Sequence, residues 1–379
     1  MKNFPPKHIL CVHKSIELYG SDRMFLLSVV TFRQAYPQAK ITVILPYRGD
    51  LSDLLKPYCD NIEYKRMAIL RRAHFHKGAW RKIRPLVGAL YRAFEKAYDV
   101  DLLYISTINI VCYTLVARFL RSIPTIIHMH ELPLGYEANI FSFYLKVSGA
   151  HCLSISEAVS LSLFQKGDRR VSLVPNGVIP PPKGDIPLPQ HSDKIRLLMI
   201  GRFSSWKGQP LLIQALSKLS TEVQSKLDVI FVGNCFRGQE SYLTEAKQLC
   251  IDLELRCTYT FHDFSPTAGD YFAWSDLVVI PSTKPEPFGL VSIEGMAYSC
   301  AIIAADHGGL ADIVLDRQTG LKFEPNNEHA LAEAIEYYVR NPEHLRQHGL
   351  AGRNRFEENY TIDVYSKNLI SAIERYVSH

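Results

Sequence analysis

Nowhere in the 379 residues is there an apolar run approaching the ~18 that a membrane-spanning helix requires, so no such helix is expected. The stretch from Ile108 to Leu120 contains Asn109 and Arg118 and reads as a buried helix instead. The apolar part of MKNFPPKHILCVHK is too short for a signal peptide, so no leader or anchor is expected. Cysteine pairing is also missing. Cys11, Cys59, Cys112, Cys152, Cys235, Cys250, Cys257 and Cys300 are scattered, with no CxxC pair and no ligand-like spacing with histidine. They fit reduced, mostly buried thiols of a cytoplasmic protein. Repeats and low-complexity tracts are absent too.

What is present is globular. Hydrophobic residues make up 47% and charged residues 21%, punctuated by 21 Gly and 21 Pro, which excludes disordered and fibrous classes. The length suits two domains, each able to bury its own core. The formal charge of +5 is unevenly placed: between Lys65 and Lys96 ten Lys and Arg face a single acid, Glu95.

Strand-length apolar runs at 8–13, 40–45, 101–106, 125–130, 152–156 and 171–175 alternate with helical patterns, the mark of βαβ units and parallel sheet. Residues 176–194 then bring five prolines between Pro180 and Pro189, a surface linker by composition. Beyond it the alternation restarts at 195–201, 227–233, 258–262, 276–282, 301–306 and 319–323. Three helical stretches close the chain, and the last, from Thr361, exceeds what the second sheet needs. The expected organisation is an α/β N-terminal domain over 1–180, a linker at 181–194, a second α/β domain over 195–360 and a C-terminal helix over 361–379. Both domains are expected to be doubly wound and to face each other across a cleft. In such sheets ligands sit at the carboxyl ends of strands, so chemistry is sought in the loops that follow them.

KPEPFGLVSIEGMA, 284–297, is one such place: a strand, a proline-limited loop, then a helix N-terminus whose unpaired N–H groups and positive dipole end suit a phosphate. Glu294 suits the vicinal diol of a ribose, and Glu286 another hydroxyl-rich group. Phosphate between two polyol-binding acids describes a nucleotide sugar; two solvated glutamates are the plainer reading of the stretch in isolation. LLMIGRFSSWKG adds Arg202 and Lys207 in another post-strand loop, suited to a diphosphate whose charge must be neutralised as it leaves. DHGGLADIV, 306–314, offers Gly308 and Gly309, where backbone can approach a ligand closely.

Taken in order, GRFSSWKG, PEPFGLVSIEGMA, HGGLADIV and TGLKFEP resemble the C-terminal domain of retaining, nucleotide-sugar-dependent GT-B glycosyltransferases with an E-x7-E motif, the group 1 or family 4 type. VPNGV at 174–178 is similar to the end of that family's first domain. The resemblance implies the GT-B fold, with a C-terminal helix crossing back to the first domain. By position it implies that Glu286 lies near the donor sugar, that Glu294 binds ribose hydroxyls, and that backbone amides of Phe288, Gly289 and Leu290 meet the diphosphate. Arg202 and Lys207 match the cationic pair on that diphosphate, and front-face attack with the leaving phosphate as base is the implied retaining step. In the first domain, LYGSDRMF resembles the loop in which Gly20 approaches the diphosphate, and TIIHMHEL places His130 beside the transferred sugar. His128 shares the strand and points the same way in alternation, so a swap stays open.

Several positions depart from the family pattern: Asn234 and Cys235 for Asp-Gly, Ser299 and Ala301 for Gly and Pro, and Asp312 for Glu. Asp99-x-Asp101 has the pattern of metal-dependent transferases but precedes a strand, so it reads as a turn; no metal and no cofactor are expected. The basic stretch interleaves cations with apolar residues. Arg71, Arg72, Lys77, Trp80, Arg81, Lys82 and Arg84 fit an anionic membrane surface beside the acceptor, a solvated face being the plainer alternative. Nucleic-acid binding is not expected, since no such motif accompanies the charge. The expected activity is sugar transfer from a UDP- or GDP-linked donor to a glycan or polyprenyl-linked acceptor in bacterial surface polysaccharide or glycolipid synthesis, with the enzyme peripheral on the inner face of the membrane. A GT-B nucleotide-sugar epimerase and a non-catalytic nucleotide-sugar-binding protein are the alternatives.

Overall fold

The computed structural model describes residues 4–18, 20–70, 83–182, 193–265 and 268–378, without the side chains of 83–86. In chain order the first elements are β1 (His8–His13), α1 (Gly20–Ala35), β2 (Lys40–Leu45), α2 (Asp50–Leu55), β3 (Asn61–Tyr64), α3 (Ile83–Ala97) and β4 (Leu102–Ser106). Next come α4 (Val111–Ala117), β5 (Thr125–Met129), α5 (Tyr136–Ser148), β6 (His151–Ser154), α6 (Glu157–Leu163) and β7 (Val171–Leu173). Then follow β8 (Ile195–Ile200), α7 (Gln209–Lys218), α8 (Thr221–Ser225), β9 (Leu227–Val232), α9 (Ser241–Asp252), β10 (Thr258–His262), α10 (Gly269–Trp274) and β11 (Leu277–Ile280). The chain closes with α11 (Leu290–Ala297), β12 (Ala301–Ala305), α12 (Gly308–Ile313), β13 (Gly320–Phe323), α13 (Glu328–Arg340), α14 (Pro342–Asn359) and α15 (Ile362–Ser378).

These elements form two compact units, Met1–Asn176 with Ile362–His379, and Gly177–Thr361. Val178 donates its N–H to Tyr360 O at 2.9 Å, so the segment after Asn176 is tied into the second unit. Residues 183–192, most of the expected linker, lie outside the described residues.

Among the described residues the first unit holds a seven-stranded sheet in the order β3-β2-β1-β4-β5-β6-β7, parallel throughout. Helices cover both faces of such a sheet, so its strands are apolar on both sides. Ile9 to Val12 are accordingly buried, and Ile9 stands opposite Ile41 on one side and Leu102 on the other. The edge strand β3, NIEY, has no residue in the core, and nothing in its sequence announces a strand. Asp101 Oδ2 accepts the N–H groups of Lys7 and His8, both at 2.9 Å, so this carboxylate of the Asp-x-Asp pattern closes the amino end of β1.

The C-terminal helix α15 belongs to the first unit and packs on α1. Tyr365 and Tyr104 meet on Ser28 Oγ, at 2.7 and 2.8 Å, and Tyr104 O–H reaches His128 Nδ1 at 2.6 Å. Leu369 and Ile373 are fully buried below this polar chain.

The second unit holds a six-stranded parallel sheet in the order β10-β9-β8-β11-β12-β13. Its core is built on Leu197, Met199, Val229, Phe231, Val279 and Ile303 from the strands, with Leu212, Leu216, Ile335 and Tyr338 from the helices above. None of the eight cysteines is in a disulfide, and burial pushes the Cys152 and Cys300 thiols up to about 12. Such thiols are inert packing groups. No helix among the described residues is long and apolar enough to cross a membrane.

Candidate active site

The strand order reverses direction between β8 and β11 in the second sheet, and between β1 and β4 in the first. At such a switch point neighbouring connections leave on opposite faces and open a crevice at the carboxyl ends, where doubly wound sheets bind ligands. Arg202 and Lys207 follow β8 and Glu286 follows β11, so the three candidates lie on the two sides of the second crevice.

Lys207 Nζ lies 2.7 Å from Glu286 Oε1. Ser282, two residues beyond β11, donates its hydroxyl to the same oxygen. His307 Nε2 meets Ser282 O at 2.8 Å, and Gly309 N donates to Glu286 O at 2.8 Å, so the start of α12 and the residue before it hold the glutamate loop. Burial pushes the Glu286 carboxyl up. The Lys207 ammonium, the hydrogen bonds from Lys207 and Ser282, and the His307 ring together outweigh it and hold the group below the usual carboxylate range. The result is a pre-formed carboxylate with a cation beside it.

Glycines set how closely these loops approach. Gly208 has φ +85°, and a Cβ there would stand 1.9 Å from Pro281 O. This lets the Lys207 loop lie against β11, where Thr283 N donates to Trp206 O at 2.8 Å. Gly308 and Gly309 serve the other side: a Cβ on Gly308 would lie 2.4 Å from Glu286 O, and one on Gly309 2.5 Å from Phe288 Cα. Gly289, at φ +116°, precedes Leu290, the first residue of α11, and no side-chain hydrogen bond caps that N-terminus. Phe288 is buried under the turn, and Glu294 is half-buried in the second turn of α11.

Arg202 lies with its guanidinium carbon 3.4 Å from the centroid of the Phe236 ring, which fixes the plane of the guanidinium. Its carbonyl accepts Gln209 Nε2 at 3.0 Å. Around this cluster Ser204 Oγ, Gln209 Oε1 and His307 Nδ1 are buried with no hydrogen-bond partner among the described residues. Native proteins rarely leave such atoms unmatched, and these three lie on the loop that carries Arg202 and Lys207, on the helix start that follows it, and on the His307 ring that bonds the glutamate loop. Ser282, Ser204, Gln209 and Phe236 escaped the sequence reading. Ser282, four residues before Glu286 at a strand end, was the one with a positional signal.

In the first unit Gly20 opens α1, and His130 stands just past the end of β5. The His130 and His128 rings lie 4.4 Å apart, but they differ in partners. His128 Nδ1 is tied to Tyr104 inside the unit, and Nε2 of both rings is buried without a hydrogen-bond partner among the described residues. Burial lowers the His130 pKa to about 4, with Glu131 opposing and His13 and Lys14 assisting. Glu131 accepts hydrogen bonds from Lys14, Thr107 and Asn109, joining the loops after β1, β4 and β5. Burial raises the Glu131 pKa, but Lys14 and these hydrogen bonds outweigh it and hold the group at about 2. Thr107 adopts φ +121°, a strained value for a β-branched residue, at this first switch point. Arg71, Arg72, Lys77, Trp80, Arg81 and Lys82 and the side chain of Arg84 lie outside the described residues.

Two Rossmann-like parallel α/β sheets with ligand-binding loops at their carboxyl ends define the GT-B class of fold. Residues 186–355 match the family of glycosyl transferases group 1, a domain coextensive with most of the second unit. The chain is 25% identical over 208 residues to the alpha-1,3/1,6-mannosyltransferase ALG2 of Mus musculus, covering 51% of this chain and 50% of that protein. It is 30% identical over 161 residues to the lipopolysaccharide 1,2-N-acetylglucosaminetransferase of Salmonella typhimurium, covering 40% of this chain and 42% of that one. The matches thus span about half the length of these curated relatives or less. Among solved structures, Anabaena Alr3699/HepE in complex with UDP superposes with a TM-score of 0.81 at 20% identity, covering 97% of this chain and 100% of that one. That likeness carries the fold.

Proposed function

We propose that the protein is a retaining glycosyltransferase that moves a sugar from a nucleotide-diphosphate donor, UDP- or GDP-linked, to a glycan or lipid-linked acceptor. The observation that carries this is the ion pair of Lys207 with a buried Glu286 at the switch point of a sheet whose next helix begins without a side-chain cap. A lone buried acid at a helix N-terminus is explicable by the dipole. A buried acid held charged by a lysine, with Arg202 flattened nearby and three unmatched polar atoms around them, is an arrangement awaiting an anion and hydroxyls.

In this reading the diphosphate lies against the amides of Phe288, Gly289 and Leu290. Lys207 gives it a point charge and Arg202 a bidentate clamp. Their charge stabilises the leaving diphosphate as the glycosidic bond breaks, the main catalytic contribution. Glu286 accepts from hydroxyls of the donor sugar, and Glu294 from the ribose diol. In the first unit, Gly20 and His130, the latter neutral at physiological pH, are the residues that the family resemblance assigns to the diphosphate and the transferred sugar. The leaving phosphate oxygen takes the acceptor proton on the same face, so no protein nucleophile and no metal are required. The activities of the relatives, a mannosyltransferase and a lipopolysaccharide sugar transferase, and a UDP complex of the same fold support the donor class and a place in glycan or glycolipid synthesis. Arg71, Arg72, Lys77, Trp80, Arg81, Lys82 and Arg84 are assigned to an anionic membrane surface, which puts the enzyme on the cytoplasmic leaflet.

The test is a thermal-shift panel of UDP, GDP, ADP and their sugars, followed by transfer or donor hydrolysis with Arg202→Ala. A ligand at 100 times its dissociation constant stabilises by about 2.7 kcal/mol. No stabilisation by any nucleotide, or donor turnover unchanged in Arg202→Ala, would overturn the reading.

A further inference from the structure

Asn234 and Cys235 stand where the resembled family has Asp-Gly, and Phe236 follows them in the loop after β9. None of the three is a donor-binding group in the proposed reaction. A phenylalanine just after a strand is ordinarily core, but Phe236 is 41% exposed, so burial does not account for it.

The loop closes on Arg202 at three points. Gly233 lets its backbone lie on the residue before the arginine, since a Cβ there would stand 2.1 Å from Gly201 O. Asn234 O accepts the N–H of Phe203, the residue after the arginine, at 3.1 Å. Phe236 sets its ring centroid 3.4 Å from the guanidinium carbon. Gln209 Nε2, at the start of α7, adds a fourth point by donating to Arg202 O at 3.0 Å. The loop is itself anchored. Cys235 packs against the core of the second unit, and Asn234 Oδ1 accepts Phe264 N at 3.2 Å, which ties the loop after β9 to the one after β10. A long side chain loses rotamer freedom when it binds, and a support that orders it beforehand removes that cost from binding. Asn234, Phe236 and Gln209 are all neutral, so they order the guanidinium without cancelling its charge.

We propose that Phe236 is a positioning residue for the diphosphate, acting through Arg202, with Gly233 and Asn234 as its backbone support. The inference rests on the reading that Arg202 clamps the donor diphosphate. The ring holds the guanidinium in one plane, with two N–H groups side by side toward the phosphate oxygens. Affinity for the diphosphate then depends on a residue that does not touch it.

The experiment is calorimetric titration of the full chain with UDP and with inorganic pyrophosphate. It compares the parent with Phe236→Leu, Phe236→Tyr, Arg202→Ala and Arg202→Ala/Phe236→Leu. Phe236→Leu stays apolar and loses the ring, so it weakens both ligands about fivefold, the size of one cation–π contact, and Phe236→Tyr restores parent affinity. In the Arg202→Ala background Phe236→Leu changes nothing, because the group it acts through is gone. The side-chain Nε–H resonance of Arg202, assigned by its loss in Arg202→Ala, reads the same stack without ligand: ring current shifts it in the parent and in Phe236→Tyr, and the shift is lost in Phe236→Leu. Unchanged affinity in Phe236→Leu overturns the proposal, as does an equal loss with and without Arg202 or an Arg202 resonance indifferent to the ring. Weaker UDP with unchanged pyrophosphate also overturns it, since the ring would then meet the base. Circular dichroism establishes that each variant is folded. A parent that binds neither ligand would count against the glycosyltransferase reading and remove this inference with it, whereas a parent that binds both without responding to Phe236 removes the inference alone.

Discussion

Lys207 and Glu286 form an ion pair at 2.7 Å in which the acid is the more buried member, its side chain 8% exposed against 20% for the lysine. Removing the lysine therefore strands a charge, whereas removing both charges strands nothing. Lys207→Met is expected to destabilise the second unit by about 3 kcal/mol, the low end for breaking a buried pair because the lysine is partly solvated. The double variant Lys207→Met/Glu286→Gln recovers most of that stability without recovering UDP binding. Urea unfolding of the three proteins measures the first claim and thermal shift with UDP the second.

Acid destabilises the first unit before it affects a typical globular surface. His130 and His151 are held neutral by burial, each with its pKa lowered to about 4. The unfolded chain takes up these protons near pH 6.5 and the folded unit does not, so stability is complete above that pH and is lost as pH falls toward 4. His151, which bonds Ser172 Oγ at 2.9 Å and stacks on Tyr376, can be changed without touching the candidate site. His151→Gln reduces the slope of stability between pH 6.5 and 4 by one proton, about 1.4 kcal/mol per pH unit at most. Urea midpoints across that range decide it; equal slopes in the two proteins would contradict the burial of a neutral ring.

Two backbone positions respond to substitution in opposite directions. Gly208→Ala places a methyl group 1.9 Å from Pro281 O at a φ that favours glycine, so the Lys207 loop must move. The expected cost is about 2 kcal/mol or more, accompanied by weaker UDP stabilisation. Ser299, in the turn that ends α11, has φ +60°, and Ser299→Gly relieves that conformation. The expected gain is about 0.5–1 kcal/mol, since glycine also loses more freedom on folding. Denaturation midpoints of both variants test the pair.

The last helix is held by hydrogen bonds as well as by packing. Tyr365→Phe leaves Ser28 one partner short and is expected to cost about 1 kcal/mol, and Leu369→Ala about 3 kcal/mol through a cavity beneath α15. Hydrogen exchange of α1 and α15 amides reads the loss locally, and unchanged protection in Leu369→Ala would mean that α15 contributes little to the first unit.

Much of this architecture is legible in the chain itself, and the reasons are local. Strands of a parallel sheet are buried on both faces, so β11 and β12 appear as unbroken apolar runs and β1, β2, β8 and β9 as mostly apolar ones. Helix starts and post-strand loops nominate Arg202, Lys207, Glu286 and Glu294 one at a time. The edge strand β3 did not appear, because a strand with one neighbour and no core residue has no apolar pattern to show.

What tertiary structure alone decided is adjacency. Lys207 and Glu286 are 79 residues apart, and they meet because β8 pairs with β11 on the side away from β9, the strand that follows it in the chain. The strands' positions along the sequence do not encode that order. The same holds for Ser282 and His307 around the glutamate, and for the contacts of Tyr104 and Tyr365 with His128. Periodicity states which face of an element is apolar, while register, crossover and packing determine which element that face and its loops will meet.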